Sequence, residues 1–451
     1  MSVNKKKPSV EIDESISTLS ALQKIGYGFG HVFNDLCGTL WFSYCLLFFK
    51  YIVNIPAEAG ALMMLGQLSD AFFSAFIGLL TDLYSTKRNW HIIGSIVVFL
   101  SFPMIFILQR NILPYWGTLF YFFIMIIFFQ CGWATVQISH LAIIPEYSNT
   151  EKDRSELNAV RFSFTILSNI SVFIVAFIFL KGKNPESEEI GSEEFEIFRN
   201  IILILTLCGG ITTILFHISL SCNSNYTQRR REKKTESSLN GNNDDIASSK
   251  TLLVIMNVLT NLELYKVAFL YTFSRLFLLN CLFFIPIWIN ELMKMKTGQL
   301  DTTAIAITPL ILFASSFAVA ILLKFISQDI PQEVVYSVGS FISIFGCIII
   351  ALTRSMHVIE LYVIALLLGA GSSFTQVSSL SISSNFIGKN CKNSGLVYSI
   401  VTVCDKIFSG IIVFIIEIFG KGKDSTYYTN VLIFNATIPL IALIVLFMLR
   451  K

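Results

Sequence analysis

Twelve apolar stretches, each about long enough to cross a bilayer, follow one another along this chain of 451 residues. In hydrocarbon only a helix satisfies its own backbone groups over a single segment, so a run of roughly 20 apolar residues has one form open to it. The spans fall near 25–52, 58–83, 90–109, 114–140, 157–180 and 199–220, then near 266–290, 302–325, 333–353, 358–385, 394–419 and 427–449. With 54% hydrophobic and 14% charged residues, the chain sits well outside the composition of a soluble domain. The expected fold class is an all-α integral membrane protein of twelve transmembrane helices in the lipid bilayer.

The spans divide six and six. Residues 221–250 interrupt them with Arg229, Arg230, Arg231, Lys233, Lys234 and a Ser/Asn/Asp-rich tail, a composition that cannot bury a core. Residues 251–263 are apolar but short and read as a helix lying on the membrane surface. The resulting plan is a tail at 1–24, a bundle at 25–220, a linker with its surface helix at 221–265 and a second bundle at 266–451. Two repeated halves of this kind are what a transporter with a central site requires. Placing both termini on one side gives that side 20 Lys and Arg, the other side 10, and leaves Arg161, Arg275 and Lys406 inside. The basic excess assigns the termini and linker to the cytosol. No cleaved signal peptide is expected, because no short apolar core precedes the first span.

The formal net charge of +3, with no pooled basic surface, gives no reason to expect a nucleic-acid partner. Nine cysteines lack metal-type spacing; Cys37, Cys45, Cys131, Cys208, Cys281, Cys347 and Cys404 lie in spans and read as small buried hydrophobes. His31 and His140 stand isolated, and there is no HExxH or paired-Asp motif. Catalytic residues, metal and cofactor are therefore not expected, and an intramembrane enzyme is the weaker reading.

An ionisable side chain at the centre of a span costs roughly 2.5–3.5 kcal/mol on insertion scales, which makes each one a functional candidate. His31 and Asp35 lie four apart in the first span and share a face. Asp35 suits a cation, a proton or an ammonium group, with His31 tuning it; a purely structural hydrogen bond is the alternative. In the second span Gln67, Asp70, Ser74, Gly78 and Thr81 keep one face with Asp70 at its centre. Gln130, Trp133, Gln137 and His140 form a stripe in the fourth span that fits a ligand or a polar helix interface equally. Arg161, Thr165 and Ser168 start one in the fifth, where Arg161 suits a gate or a snorkelling anchor. Arg275 lies deeper in the seventh span. The tenth presents Gly369, Ser372, Gln376, Ser379 and Ser383, a small face for sliding contacts or for ligand.

The eleventh span carries Tyr398, Thr402, Asp405 and Ser409 on one face, and Lys406 points about 100° away. Asp405 and Lys406 thus need partners on other helices, with Asp35 and Asp70 as candidates for Lys406. A network that reorganises as a carrier opens, or a static buried pair, fits that pattern. Between the second and third spans, Asp82 is followed by Lys87 and Arg88. Such a turn suits a gating latch onto a neighbouring helix end, or is only a solvated loop.

That turn resembles the signature between helices 2 and 3 of the major facilitator superfamily. The strings LSDAFFSAFIGLLTDLYSTKRNWH at 68–91 and IPEYSNTEKDRSELNAVRF at 144–162 are similar to its glycoside–pentoside–hexuronide cation symporter branch. The resemblance implies two six-helix bundles and secondary active transport by alternating access. In that branch an acid of helix 1 contacts substrate, acids of helices 2 and 4 serve the coupling cation, and a lysine of helix 11 completes the network. Asp35, Asp70 and Lys406 stand at the matching positions, whereas Ser74 replaces the second helix 2 acid and Gln137 falls near the helix 4 acid. Proton and sodium both remain as coupling ions.

GHVFNDLCGTLWFSY (30–44), GWATVQISHLAIIPE (132–146), LYTFSRL (270–276), LLLGAG (366–371) and NSGLVYS…CDK (393–406) are together similar to a group of the superfamily that imports cysteine from the cytosol into lysosomes, and into melanosomes in pigment cells. This resemblance implies cysteine as the small-molecule substrate and a lysosomal membrane, with the plasma membrane as the alternative. A sugar–cation or lysolipid symporter of the same branch is the competing reading. The residues themselves offer acids suited to an ammonium group, and Arg275 or Lys406 suited to a carboxylate.

Overall fold

The first span becomes a helix, α1 (Ala21–Leu40), at a sequence-encoded start: Ser20 and Gln23 exchange side-chain-to-backbone hydrogen bonds in a capping box. The same rod continues through two π-helical turns, Trp41–Cys45 and Phe48–Ile52. Such turns insert a residue into the helical ladder and commonly mark functional positions. In this computed structural model the described residues are 19–83, 87–109, 111–147, 151–181, 190–223, 260, 262–294, 300–326, 330–353, 357–390 and 394–449. The expected tail, the linker and most of the surface helix at 251–263 lie outside them.

The remaining helices are α2 (Ala59–Leu83), α3 (Lys87–Ile105), α4 (Tyr115–Tyr147), α5 (Glu151–Lys181), α6 (Phe195–Cys222), α7 (Leu262–Lys294), α8 (Ala304–Ile326), α9 (Gln332–Leu352), α10 (Val358–Asn390), α11 (Ser394–Gly420), α12 (Ser425–Phe434) and α13 (Thr437–Leu449). No strand occurs among the described residues. The helices outrun several expected ends: α4 continues to Tyr147, and α7 starts at Leu262, inside the stretch read as a surface helix. The twelfth span is split into α12 and α13 around Asn435. There the Asn435 side chain donates to the Phe277 carbonyl at 3.2 Å and accepts from Asn280 Nδ2 at 3.1 Å, which anchors the break to α7.

Ten of the described helical segments are long and apolar enough to cross a membrane. Those bearing Asp35 and the Asp405–Lys406 pair fall outside that set. Large apolar side chains such as Phe72, Phe120, Ile214 and Phe341 face outward around the bundle, as a lipid-embedded surface demands.

Packing repeats with a shift of six. α1 packs on α5 and α6, and α3 and α2 both on α4; α7 packs on α11 and on α12–α13, and α9 and α8 both on α10. The halves meet through α2 on α11 and α5 on α8, contacts that the same shift interconverts. α7 lies innermost, with 94% of its apolar window buried. The chain therefore has the major facilitator fold of two six-helix bundles facing each other across a central seam.

Candidate functional site

Two helices of the first half, α1 and α5, converge on Asp35. Its Oδ2 accepts from Thr165 Oγ1 at 2.8 Å, and His31 Nδ1 lies 2.9 Å from the same oxygen. His31 Nε2 is 3.0 Å from Arg161 Nη2. A guanidinium only donates, so Nε2 is the acceptor and the proton of the neutral ring sits on Nδ1, facing Asp35. A second proton on His31 requires Arg161 to leave. The i,i+4 steps of α1 (His31, Asp35) and α5 (Arg161, Thr165) place these groups side by side.

The histidines are not isolated. His31 and His140 rings are 5.4 Å apart, His91 and His140 5.9 Å, and His91 and His217 5.0 Å. Four of the five histidines thus form one cluster, which corrects the sequence reading. They come from four different helices, and nothing in linear spacing signals it. The cluster is knitted by neutral hydrogen bonds: His140 bonds Tyr27 through its hydroxyl and carbonyl, at 3.3 and 3.1 Å. Gly30 sits against the rings of His140 and Phe216, leaving no room for a Cβ. Among the described residues no group of three or more His, Cys, Asp or Glu side chains has the arrangement of a metal site.

The second cluster bridges the halves. Lys406 Nζ lies 2.8 Å from Asp70 Oδ1 and donates to Ser74 Oγ at 2.6 Å, while Ser74 donates to Asp70 at 3.1 Å. Asp405, on the other side of α11, faces Arg275 Nε at 3.5 Å and accepts from Ser409 at 3.4 Å. The adjacent acid and base of α11 thus take separate partners, on α7 and α2. Trp133 connects the two clusters: its Nε1 donates to the Asn34 carbonyl at 3.0 Å, and Lys406 Nζ lies 5.9 Å from its ring centroid. A cationic head over an indole face is an attractive contact.

The other sequence candidates take quieter places. Gln137 carries a buried Oε1 with no hydrogen-bond partner among the described residues, the mark of a polar atom available to a ligand or water. Gln376 is half-buried on α10 and accepts from Ser379 through its carbonyl at 2.9 Å. Arg88 Nη2 donates to the His217 carbonyl at 3.1 Å and to Ser221 Oγ at 2.7 Å, so it latches onto the last turn of α6 in its own half. Lys87 is half-buried beside it in sequence, and the Asp82 and Tyr398 side chains lie outside the described residues. Of the cysteines read as buried, Cys208 is exposed on the lipid-facing surface and the described cysteines are all free.

The structure adds one cluster that the sequence reading passed over. At the ends of the spans away from the termini, Lys50 Nζ donates to Glu417 Oε2 at 3.0 Å and to the Tyr428 hydroxyl. Tyr51 donates to Glu291 Oε1 at 2.6 Å, and Lys294 pairs with the same carboxylate at 3.1 Å. Ile190 N donates to Asn290 Oδ1 at 2.8 Å. All of these contacts except Lys294–Glu291 join one half to the other. Lys50 stands at the outer end of the first span, yet its side chain is 7% exposed and that of Glu417 2%. The available signal was position: Lys50 and Glu417 both fall inside their apolar spans, not beyond them.

With this geometry in hand, the likenesses to known proteins are specific. The family model "MFS/sugar transport protein" matches residues 26–450. The human major facilitator superfamily domain-containing protein 12 is 29% identical over 434 residues, covering 91% of this chain and 87% of that one. An uncharacterized symporter of Synechocystis is 24% identical over 208 residues, covering 43% of this chain and 37% of its own length. The fold matches the partially occluded inward-open xylose transporter XylE of E. coli at a TM-score of 0.65 and 12% identity, covering 95% and 99% of the two chains. It matches the nucleoside transporter NupG at 0.65 and 12%, covering 96% and 100%.

Proposed function

The chain belongs to the MFS/sugar transport protein family, a multi-pass secondary transporter and not an enzyme, and from that premise we propose that it carries cysteine from the cytosol into lysosomes or related organelles by alternating access. Segments 25–220 and 266–451 are the two bodies that rock about the central seam. The observation that carries this reading is the Asp70–Lys406 pair between the halves, joined through Trp133 to the backbone beside Asp35. An amino acid presents an ammonium and a carboxylate a few ångströms apart. Asp35 offers the first a carboxylate, and Lys406 and Arg275 offer the second a cation. The 29% identity to domain-containing protein 12 supports the same reading.

In this reading the contacts of Lys50, Tyr51 and Ile190 with α11, α12 and α7 close the lumenal end while the cytosolic side admits substrate. Proton coupling follows from the His31–Arg161 arrangement: a proton and the guanidinium compete for Nε2. That nitrogen takes a proton only when Arg161 moves away from it. The test is uptake of labelled cysteine, cystine, sugars and lysolipid into organelle-derived vesicles, with and without a pH gradient. Cysteine accumulation that exceeds the Asp35→Ala carrier is expected. Sugar or lysolipid uptake in its place would refute the cargo, and indifference to the gradient would refute the coupling.

A further inference from the structure

Away from the cargo site, a cavity of about 630 Å³ opens between α3 and α6 on the lipid-facing flank. Its walls are apolar, with Ile96, Phe99 and Leu100 from α3 and Ile214 and Ile218 from α6. Its end nearest the termini is polar, formed by Arg88, His217 and Ser221. From Arg88 to Leu100 the wall rises roughly 18 Å at about 1.5 Å per residue. That is about the depth of one leaflet of a roughly 30 Å hydrocarbon core.

Two buried atoms at the polar end have no hydrogen-bond partner among the described residues: Arg88 Nε and His217 Nδ1. Their roles are fixed. His91 Nε2 lies 3.0 Å from the Gly30 carbonyl, which only accepts, so His91 carries its proton there and leaves Nδ1 as an acceptor. That acceptor is 3.1 Å from His217 Nε2, so His217 is protonated on Nε2. His217 Nδ1 is then a bare acceptor, and Arg88 Nε–H is a bare donor. Unsatisfied buried polar atoms call for a ligand or an ordered water. Here the wall beyond them is hydrocarbon-lined and opens to lipid.

We propose that this groove binds a sterol in the cytosolic leaflet, its single hydroxyl donating to His217 Nδ1 and accepting from Arg88 Nε. A phosphate headgroup carries acceptors alone and would oppose the His217 lone pair. A rigid fused-ring body loses less conformational entropy in a fixed groove than two acyl chains do. The chain His217–His91–Gly30 links the ligand's hydroxyl to the backbone next to His31, so occupancy bears on the helix that carries Asp35.

The test uses the full chain, purified and reconstituted in phosphatidylcholine nanodiscs with a photoreactive diazirine analogue of cholesterol, followed by peptide mapping. Labelling on α3 and α6 between residues 88–100 and 210–222 is expected, competed by excess cholesterol. Removing the acceptor with His217→Phe should weaken it about tenfold. Ile214→Trp blocks the groove from a side chain that already faces lipid, and should abolish labelling without moving the thermal unfolding midpoint. This variant carries the test if His217→Phe fails to fold. Labelling scattered over the lipid-facing surface, labelling that persists in Ile214→Trp, or labelling competed as well by diacylglycerol or phosphatidylserine as by cholesterol would overturn the proposal.

Discussion

Neutralising Glu417 should swing the carrier open at its lumenal end. Lys50 and Glu417 are 7% and 2% exposed, so Glu417→Gln strands an ammonium between the end of the first span, α11 and α12 with the Tyr428 hydroxyl, neighbouring tyrosine rings and a neutral amide in place of its carboxylate. Breaking one side of a buried ion pair typically costs about 3–5 kcal/mol. The pair spans the two halves, so the penalty falls on the closed-lumen state alone; once that end opens, water solvates Lys50. At about 1.4 kcal/mol per tenfold, even the low end of that range shifts the equilibrium about a hundredfold towards the lumen-open state. Spin labels at Ala57 and Lys423, exposed positions on the lumenal ends of opposite halves, report the change as a longer inter-label distance by double electron–electron resonance. Lys50→Met combined with Glu417→Gln removes both charges and should return much of the short-distance population, since the stranded charge is gone. Distance distributions identical in the parent and Glu417→Gln, or a double variant as open as the single one, would show that the pair does not latch the halves.

Lys406→Ala leaves Asp70 buried without its cation and is expected to lower the unfolding midpoint and abolish uptake; adding Asp70→Asn should recover the midpoint but not uptake, read by differential scanning fluorimetry beside vesicle transport. Trp133→Phe keeps an aromatic face under Lys406 but loses the bond to the Asn34 carbonyl, about 1 kcal/mol, so uptake should fall roughly fivefold without loss of folded protein. Gly30→Val forces a side chain into the rings of His140 and Phe216 and should destabilise the fold by about 1–3 kcal/mol, whereas Gly78→Ala, with open space about its Cα, should leave the melting curve unchanged.

The helical register of the site was legible because membrane insertion leaves the backbone little choice. The steps of four that join His31 to Asp35 and Asp70 to Ser74 were readable for the same reason: helical period places those side chains together whatever else happens. Partner choice was not readable. The sequence left Asp35 and Asp70 open as partners for Lys406, and the rotation of α11 against α2 puts its ammonium on Asp70. Asp35 instead takes Thr165 and His31. The histidine cluster escaped because His31, His91, His140 and His217 lie on separate helices that only packing brings together. The π turns left no trace because an inserted residue in an unbroken apolar run changes no hydropathy. Lys50 and Glu417 looked like charges at span ends, positions that are normally wet; they are dry because the two halves press together there.

The placement of these charges has a common logic for a carrier that rocks. A gate made of apolar packing resists opening in proportion to the area it exposes, about 25 cal/mol for each Å². A buried ion pair behaves differently. Its Coulomb attraction is largely offset by the desolvation of both partners, so separating them into water costs little. Losing one partner while the other stays buried costs several kcal/mol. Lys50–Glu417 at the lumenal end and Asp70–Lys406 at the centre are therefore cheap to separate by moving the halves and expensive to mismatch while the halves stay closed. That asymmetry lets two states lie within reach of a substrate's binding energy. It also penalises intermediate states in which one end is half-released, because those leave an ion buried and alone. The apolar and aromatic packing around the pairs, such as Phe284 stacked on Tyr428 at 6.1 Å, keeps water from softening that penalty until the halves have moved.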